Sequence, residues 1–273
     1  MGSCRLVLSA VLAGVLAGSV PGVSASANDR TDGHIAAALQ AARLAEARAS
    51  AGHASEPGPD GSFVARYDFD LERVVAGLID DSGNGNTLQL ISGNGGGVQP
   101  VPHSGGQALR FPSKCVAKTR QCPHAALQAP TSADLNPGTR PLSFGATVLL
   151  PRSQTTKGQN VVQKGYSTVS SQYKLQIDGY AGHPSCVLVG LRPGIKIVHS
   201  SVSVTDGSWH DVECWRDGSS LSVVVDGVIR GNRRISPRLS VSNGGPLSIG
   251  GKGAYRDNDQ FQGIIDDVWV RVG

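Results

Sequence analysis

The stretch that decides the fold reads WHDVECWRDGSSLSVVVDGVI and spans residues 209–229. It contains two apolar runs rich in β-branched residues, and each run is closed by Asp-Gly, at residues 217–218 and 226–227. Asp-Gly favours the tight, positive-φ turns that join antiparallel strands. The stretch therefore predicts a β-meander.

The chain has the same β character from Phe63 onward. Short runs of Val, Leu and Ile are interrupted by Gly, Asn, Asp, Ser and Pro, and no amphipathic helix separates them. Twelve candidate strands in about 210 residues favour one all-β, two-sheet antiparallel sandwich over two domains. The candidate strands are 63–69, 87–91, 108–111, 142–150, 160–164, 173–177, 186–191, 196–200, 209–215, 221–225, 247–249 and 264–272.

Three separated segments carry a family resemblance. They are VARYDFD at residues 64–70 with DDSGNGNTL at 80–88, the meander at 209–227, and FQGIIDDVWV at 261–270. Together they resemble the opening, central and closing strands of laminin-G-like domains in the concanavalin A-like jelly-roll family. The resemblance implies a jelly roll of two stacked antiparallel sheets over residues 63–273. Members of this family are mostly recognition modules, and some are glycan-cleaving enzymes.

The resemblance also implies a structural Ca²⁺ where the first loop meets the last strand. By similarity, Asp81, Asn84 and Asp266 would supply the oxygen ligands that Ca²⁺ prefers. Strand alternation places Asp266 on the same face as Val268 and Val270, so it is expected to be buried with them. A buried carboxylate needs hydrogen bonds, a cation or an arginine. The alternative is that Asp266 accepts hydrogen bonds from turn amides without a metal.

The amino terminus has the order of a secretory signal peptide. A single positive charge, Arg5, precedes an apolar stretch at residues 6–20 and the small-residue triplet Ala25-Ser26-Ala27. We therefore expect residues 1–27 to be removed and the protein to be secreted to the extracellular space. The apolar stretch is short for a membrane-spanning helix, and the carboxyl end has no second one, so no transmembrane segment is expected.

Residues 28–62 differ in composition from the rest. An Ala-rich run at 35–48 predicts a short helix, and a run rich in Pro and Gly up to residue 60 has the composition of a linker. This segment is a spacer, a pro-segment or a packed appendage, and the sequence leaves the choice open.

Four cysteines remain after the signal peptide is removed: Cys115, Cys122, Cys186 and Cys214. An even number in an exported chain favours two disulfides, although four cysteines allow three pairings. We favour Cys115 with Cys122, because they bracket a short loop, and Cys186 with Cys214, because they would link two strand-like runs. The histidines are scattered and no cysteine pair has CxxC spacing, which disfavours a zinc site.

The charge of the chain argues against a nucleic-acid partner. The formal net charge is +4, and it falls to +3 when Arg5 is lost with the signal peptide. Binding to a phosphate backbone needs a dense basic face. The one local cluster contains Arg230, Arg233, Arg234 and Arg238. It reads as a charged strand edge that resists aggregation, or as a docking site for an acidic polysaccharide.

The sequence lacks the carboxylate pattern of a glycoside hydrolase. Hydrolysis needs two carboxyl groups that flank the bond, and glucanases of this superfamily carry them as E-x-D-x-x-E on one strand. The nearest match is Asp211-Val212-Glu213, which lies between Trp209 and Trp215. It lies on the meander and has no third carboxylate, so we assign no catalytic residue.

A binding function requires less. We interpret the chain as a non-catalytic recognition module that binds carbohydrate. The alternatives are an extracellular protein-interaction or adhesion domain, and a divergent glycan-degrading enzyme. Aromatic side chains that could form a sugar platform are Tyr166, Tyr173, Tyr180 and Tyr255, but no ligand-binding residue is assigned.

Overall fold

The computed structural model describes residues 58–70, 78–115, 121–191 and 194–273, which belong to the compact unit His53–Gly273. The predicted signal peptide and residues 28–57 of the Ala-rich segment lie outside the described residues. The described part contains fifteen strands and one short 3-10 helix, Arg152–Gln154. The strands are β1 Ser62–Tyr67, β2 Gln89–Gly93, β3 Gln99–His103, β4 Gly106–Arg110, β5 His124–Ala129, β6 Leu142–Pro151, β7 Gly158–Gly165, β8 Gln172–Asp178, β9 His183–Val189, β10 Ile195–His199, β11 Asp206–Asp217, β12 Ser220–Val225, β13 Val228–Arg234, β14 Leu247–Ile249 and β15 Ile264–Val272.

The strands form two antiparallel sheets. The eight-stranded sheet has the order β13-β12-β11-β6-β15-β4-β3, and β1 also pairs with β15. The seven-stranded sheet has the order β10-β9-β8-β7-β14-β5-β2. The prediction of an all-β, two-sheet antiparallel jelly-roll sandwich is confirmed for the described residues.

The predicted meander is β11, β12 and β13, which pair consecutively. Its two turns differ in backbone conformation. Val225 pairs with Val228, and the two central residues Asp226 and Gly227 have φ of 53° and 73°. This is the type I′ conformation that Asp-Gly favours. In the first turn, Gly218 is the central residue with a positive φ, at 49°.

The core lies between the two sheets and is built from alternate residues of their strands. Phe144 and Val148 of β6, Val212 of β11 and Leu175 of β8 are fully buried there. The alternation follows from the two-residue period of a strand, which sends every second side chain to one side. Apolar burial of this kind is the main favourable contribution to folding.

Two disulfides stabilise the sandwich. Cys186 of β9 is bonded to Cys214 of β11, and because these strands belong to different sheets, the bond joins the sheets across the core. Both residues are fully buried. The second bond joins Cys115 to Cys122. This is the pairing that the sequence analysis favours.

A β-bulge in β15 redirects Asp266. The residue pairs with Thr147 of β6, but the register shifts immediately afterwards, where Asp267 has φ of 44°. One extra residue in a bulge resets the alternation of the strand. Val268 and Val270 therefore point into the core, whereas Asp266 points to the outer side of the sheet. The expectation that Asp266 shares a face with these valines is wrong.

Candidate functional site

All three tryptophans of the chain lie on the outer side of the eight-stranded sheet. Trp209 and Trp215 are six positions apart in β11, so they project to the same side. Glu213 lies between them on that side, and both Glu213 and Trp269 of β15 pair with Gly145. Trp269 therefore projects to this side as well. We call this surface the tryptophan face.

Trp269 lies within a cluster of rings and guanidinium groups. The ring of Phe63 in β1 meets it edge-on, with 6.3 Å between centroids. The Arg271 guanidinium lies 4.0 Å from the centroid of the Phe63 ring and 5.4 Å from that of Trp269. Arg66 lies 5.6 Å from the Phe63 centroid. Cation-π contacts hold these side chains in place and leave Trp269 only partly exposed.

A groove with a volume of about 450 Å³ runs beside Trp215. Trp215 is only 8% exposed, and the chain at Gly58 lies beside its indole. The indole N–H donates to Glu213 Oε2 over 2.8 Å. We call this cavity the Trp215 groove, and the residues that line it are Gly58, Pro59, Asp60, Trp215, Asp217, Ser220, Ser222, Ile229 and Asn232.

The groove combines an aromatic wall with polar groups on strands and a turn. Asp60 and Asp217 bring carboxylates, and Asn232 of β13 brings an amide. The Asn232 amide donates to the hydroxyls of Ser220 and Ser222 over 2.6 and 2.8 Å. The cross-strand pairing of β12 with β13 sets this contact, since Ser222 pairs with Asn232. The side chains are therefore fixed by the meander itself.

The carboxylates of Asp211 and Glu213 both face outward, as strand alternation predicts. The hydroxyl of Thr147 donates to Asp211 over 2.6 Å, and Glu213 accepts the indole N–H of Trp215. Burial raises the pKa of the Glu213 carboxyl, although the hydrogen bond from Trp215 acts in the opposite direction. Each carboxylate is thus held by its own neighbour on the sheet.

Asp266 meets a histidine at the other end of the same face. Its Oδ2 lies 2.5 Å from Nδ1 of His103 in β3, and its Oδ1 accepts the backbone N–H of Asp267. The His103 ring stacks on Trp209, with 3.8 Å between centroids. Burial raises the pKa of the Asp266 carboxyl, and its hydrogen bonds with His103 and Asp267 offset part of that rise. Nothing in the sequence pattern placed His103 here.

The residues predicted to bind calcium make separate contacts. Asp81 accepts the backbone N–H of Asp68, and the Asn84 amide donates to the carbonyl of Phe63. Asp266 is engaged by His103, as described above. Among the described residues, no group of three or more His, Cys, Asp or Glu side chains is arranged to hold a metal. The three residues are thus engaged in separate hydrogen bonds, and a shared calcium site stays a prediction from the family resemblance.

The loop of this predicted site is organised by Asp80, which the sequence analysis did not single out. Its carboxylate accepts backbone N–H groups from Arg66, Ser82 and Asn86 over 2.9–3.0 Å. An Asp side chain commonly accepts hydrogen bonds from backbone amides of the turn in which it lies. The negative charge at this loop therefore stabilises the turn.

The four tyrosines considered as a sugar platform are not gathered on one surface. Tyr173 is buried in the core against Phe144, and burial raises the pKa of its phenol. The Tyr166 hydroxyl donates to the carbonyl of Lys252, whereas Tyr180 is 62% exposed. Tyr255 lies on a loop and is also exposed.

The outer side of the seven-stranded sheet is polar and largely bonded within itself. Asn160 and Gln163 share a hydrogen bond of 2.6 Å, and Gln163 donates in turn to the carbonyl of Gly165. The ammonium groups of Lys174 and Lys252 both contact Asp259. Gln163 is 1% exposed and Lys174 is 9% exposed, which is low for an outer face. We call this surface the polar face.

The fold and the tryptophan face define a β-sandwich domain of the jelly-roll class. A family model described as "Concanavalin A-like lectin/glucanases superfamily" (Laminin_G_3) matches residues 124–271, just over half of the chain. The chain belongs to this family. The matched region runs from β5 to Arg271 in β15 and includes all three tryptophans. A search of curated protein sequences finds no match.

Several solved structures share this fold. The binding domain of Paraclostridial Mosquitocidal Protein 1 aligns with a TM-score of 0.59 and 12% identity, covering 77% of this chain and 48% of that one. Domain 4 of AbnA, a GH43 extracellular arabinanase from Geobacillus stearothermophilus, was solved with arabinotriose. It aligns with a TM-score of 0.58 and 16% identity, covering 79% of this chain and 94% of that one.

The binding domain of Botulinum Neurotoxin DC is a third similar structure. Its complex with SialylT aligns with a TM-score of 0.54 and 11% identity, covering 77% of this chain and 48% of that one. The same domain was also solved with rat synaptotagmin II. The chain thus spans about half the length of the toxin domains, and identities this low show the fold alone. Within the part of the chain that the structure describes, no helix has the length and apolar character to cross a membrane.

Proposed function

We propose that the mature chain is a secreted recognition module that binds a glycan in the Trp215 groove and leaves its glycosidic bonds intact. The observation that carries the proposal is the groove itself. Ile229, which is 40% exposed, lies beside the largely covered Trp215 and provides an apolar surface for the C–H face of a sugar ring. The carboxylate, amide and hydroxyl groups of the groove are partners for the sugar hydroxyls. Its volume of about 450 Å³ suits a short segment of a glycan.

The similar structures support a binding role in general. The AbnA domain was solved with arabinotriose and the neurotoxin domain with SialylT, so this fold accepts sugars in other chains. The complex with synaptotagmin II concerns a protein partner. Recognition is therefore common to these domains, and glycan binding in this chain rests on the chemistry of its own groove.

The arrangement of Asp211 and Glu213 supports binding without cleavage. A retaining or inverting glycosidase needs two carboxyl groups that are free to reach opposite sides of one bond. Here Asp211 is held by Thr147, and Glu213 by Trp215, each within the sheet surface. Both groups project outward from the same strand, two residues apart, and each is engaged by a neighbouring side chain.

Secretion is supported by the disulfides. Disulfides persist in oxidising compartments and are rare in the cytosol of most organisms. Two such bonds among the described residues agree with the signal peptide predicted at residues 1–27.

A protein partner is the second candidate function. Val228 and Ile229 begin the edge strand β13, and their side chains are 43% and 40% exposed beside the Trp215 groove. Exposed apolar side chains next to a groove also suit a protein segment. The same strand carries Arg233 and Arg234, which discourage edge-to-edge pairing with another sheet.

A glycan-array screen of the mature protein, with reducing-end release measured on the retained sugars, tests the proposal. We expect specific retention and no product. The exposed variants Asp217→Asn and Asn232→Ala should weaken retention about tenfold or more, because each removes a polar partner from the groove. Asp257→Asn is the matched control, because it removes an exposed carboxylate from a loop that does not line the groove.

Three outcomes would count against it. Release of product would support the enzyme alternative. A lack of retention across a broad array, with capture by an extracellular protein, would favour the second candidate. Retention that is equally strong in the groove variants and the control would place the glycan elsewhere on the domain.

A further inference from the structure

Ser104 occupies an unusual backbone position on the surface. It is the first residue of the two-residue turn between β3 and β4, and Ser104 and Gly105 have φ of 45° and 85°. A positive φ is uncommon for a serine and common for a glycine. The turn is anchored by Asp70, whose carboxylate accepts the backbone N–H of Gln107 over 3.0 Å. The Ser104 side chain is therefore exposed but set in a defined direction.

The hydroxyl of Ser104 is directed at a histidine. Its Oγ lies 3.1 Å from Nε2 of His103. A carboxylate only accepts, so Nδ1 of His103 carries the hydrogen that is shared with Asp266, 2.5 Å away. In the neutral imidazole Nε2 is then the acceptor, and Ser104 donates to it. Trp209 stacks on the imidazole and fixes the plane of the ring.

Asp266, the third residue in this series of contacts, owes its position to the bulge in β15. The extra residue at Asp267 turns Asp266 from the core side to the outer side of the sheet, where it reaches His103. Bulges often redirect a side chain beside an active site. The Asp266 carboxyl is 7% exposed and the His103 ring is 14% exposed, so water screens their contact little.

We propose that Ser104, His103 and Asp266 form a nucleophilic centre that cleaves O-acyl esters. A nucleophile in hydrogen-bond reach of a base, with the base oriented by a third group, is the geometric signature of nucleophilic catalysis, and it recurs on unrelated folds. Ser104 is the nucleophile, His103 the general base and Asp266 the positioning residue. The activity goes beyond glycan recognition and does not depend on it.

The reaction uses only the ester and water. Ser104 Oγ bonds to the acyl carbon while its proton passes to His103 Nε2. The bond from that carbon to the alcohol oxygen breaks, and His103 returns the proton to the departing alcohol. Water then attacks the acyl-serine with His103 again as the base, which releases a carboxylic acid and restores the Ser104 hydroxyl. The hydroxyl stands at the surface, which suits a short acyl group such as acetyl carried on a larger alcohol.

Covalent labelling with a fluorophosphonate, located by peptide mass spectrometry, tests the proposal at the level of one residue. We expect Ser104 to react about a hundredfold faster than Ser201, an exposed serine, because general-base assistance contributes about 10²–10⁴-fold. Hydrolysis of 4-nitrophenyl acetate should be lost in Ser104→Ala and kept in the control Ser201→Ala. Both serines are exposed, but alanine is strained at the positive φ of Ser104, so a thermal melt verifies that Ser104→Ala folds.

Three variants separate catalysis from structure. His103→Gln should reduce Ser104 labelling about a hundredfold. Asp266→Asn should reduce it about tenfold or more, and Asp266→Glu should recover part of the rate if Asp266 acts by positioning His103. Thermal unfolding of each variant verifies that the fold persists.

Equal reactivity of Ser104 and Ser201 in the wild-type protein would overturn the proposal. So would 4-nitrophenyl acetate hydrolysis that survives in Ser104→Ala. The proposed glycan function is tested independently of the esterase proposal, because Ser104 does not line the Trp215 groove. Ser104→Ala should therefore leave glycan retention unchanged.

Discussion

The outer faces of the two sheets have opposite chemistry. The tryptophan face gathers all three indoles of the chain, the Trp215 groove and the His103 contacts. The polar face carries amide, hydroxyl and lysine side chains, most of which bond to one another, and Gln163 and Lys174 among them are buried. A surface that satisfies its own hydrogen bonds has little left to offer a ligand, so the comparison indicates a binding face and a structural face.

The first test of this comparison removes the disulfide that joins the two sheets. The disulfide from Cys186 to Cys214 joins their sheets, and removing it with a double Cys→Ala substitution should lower the free energy of unfolding by about 3.6 kcal/mol, from the entropy of the loop that it closes. Urea unfolding measures the change. A loss well under about 1 kcal/mol would mean that the core holds the sheets together without the bond.

A substitution in the polar face should cost stability and spare binding. Gln163→Ala removes the acceptor of the buried Asn160 amide, which should cost about 1–3 kcal/mol, whereas the Gly165 carbonyl still accepts from Gln172. Gln176→Ala is the control, because Gln176 is more exposed, and it should cost about 0.5 kcal/mol or less. Urea unfolding and glycan affinity are measured together. A fall in glycan affinity for Gln163→Ala in folded protein would contradict the division of roles.

His210 of β11 should make the free energy of unfolding depend on pH. Burial alone would lower the pKa of His210, but hydrogen bonds to Asp226 and Asp206 raise it above its ordinary value of 6.5. Because the folded pKa is the higher one, this contribution is fully present below pH 6.5 and is lost as the pH rises through the folded pKa.

The free energy of unfolding of the wild-type protein should therefore fall as the pH rises above 6.5 and through the folded pKa of His210. His210→Gln should flatten that fall, and urea unfolding at several pH values measures both. A fall of the same size in His210→Gln would assign the dependence to another group.

Added Ca²⁺ should have the smallest effect on thermal stability. A shared site of Asp81, Asn84 and Asp266, which the family resemblance implies, would require Asp266 to leave His103. A bound ion at a hundred times its Kd would add about 2.7 kcal/mol of stability. The contacts in the structure predict no such gain in a thermal melt with and without Ca²⁺. A gain that disappears in Asp266→Asn would restore the calcium site and displace the His103 contact.

The sequence predicts the sandwich because hydrophobic alternation and turn chemistry act locally. The meander with its Asp-Gly turns is the clearest case. Two strands, β3 and β5, escaped prediction, and β13 was expected only as the third strand of the meander and not as a candidate strand of its own. β3 contains Pro100 and Pro102, which an edge strand tolerates, β13 is an arginine-rich edge strand, and β5 is rich in alanine. Propensity alone does not identify such strands, because their pairing partners decide them.

The candidate site was less accessible to sequence reasoning. The side on which Asp266 lies depends on a bulge at Asp267, and an uninterrupted Ile-Ile-Asp-Asp-Val run carries no turn signal there. The Trp215 groove likewise needs the chain at Gly58 to return beside β11. Contacts between segments so far apart in sequence arise from the tertiary fold.

The burial of two cationic side chains was likewise not predictable from the sequence. Arg216 donates to four backbone carbonyls, including those of Arg140 and Leu239, and Lys164 donates to Asn243 and Gly245. A charged residue in a strand pattern predicts that its side chain faces solvent, since charged side chains are rarely fully buried. Here each one crosslinks loops at the end of the sandwich through carbonyl groups.

The most direct test of the two-face account is a crystal structure of the mature domain with a glycan that it retains on the array. The account predicts electron density for the sugar in the Trp215 groove, in contact with Trp215, Asp217 or Asn232. Density for the sugar on the polar face, over Gln163 and Lys174, would contradict the account and exchange the roles of the two faces.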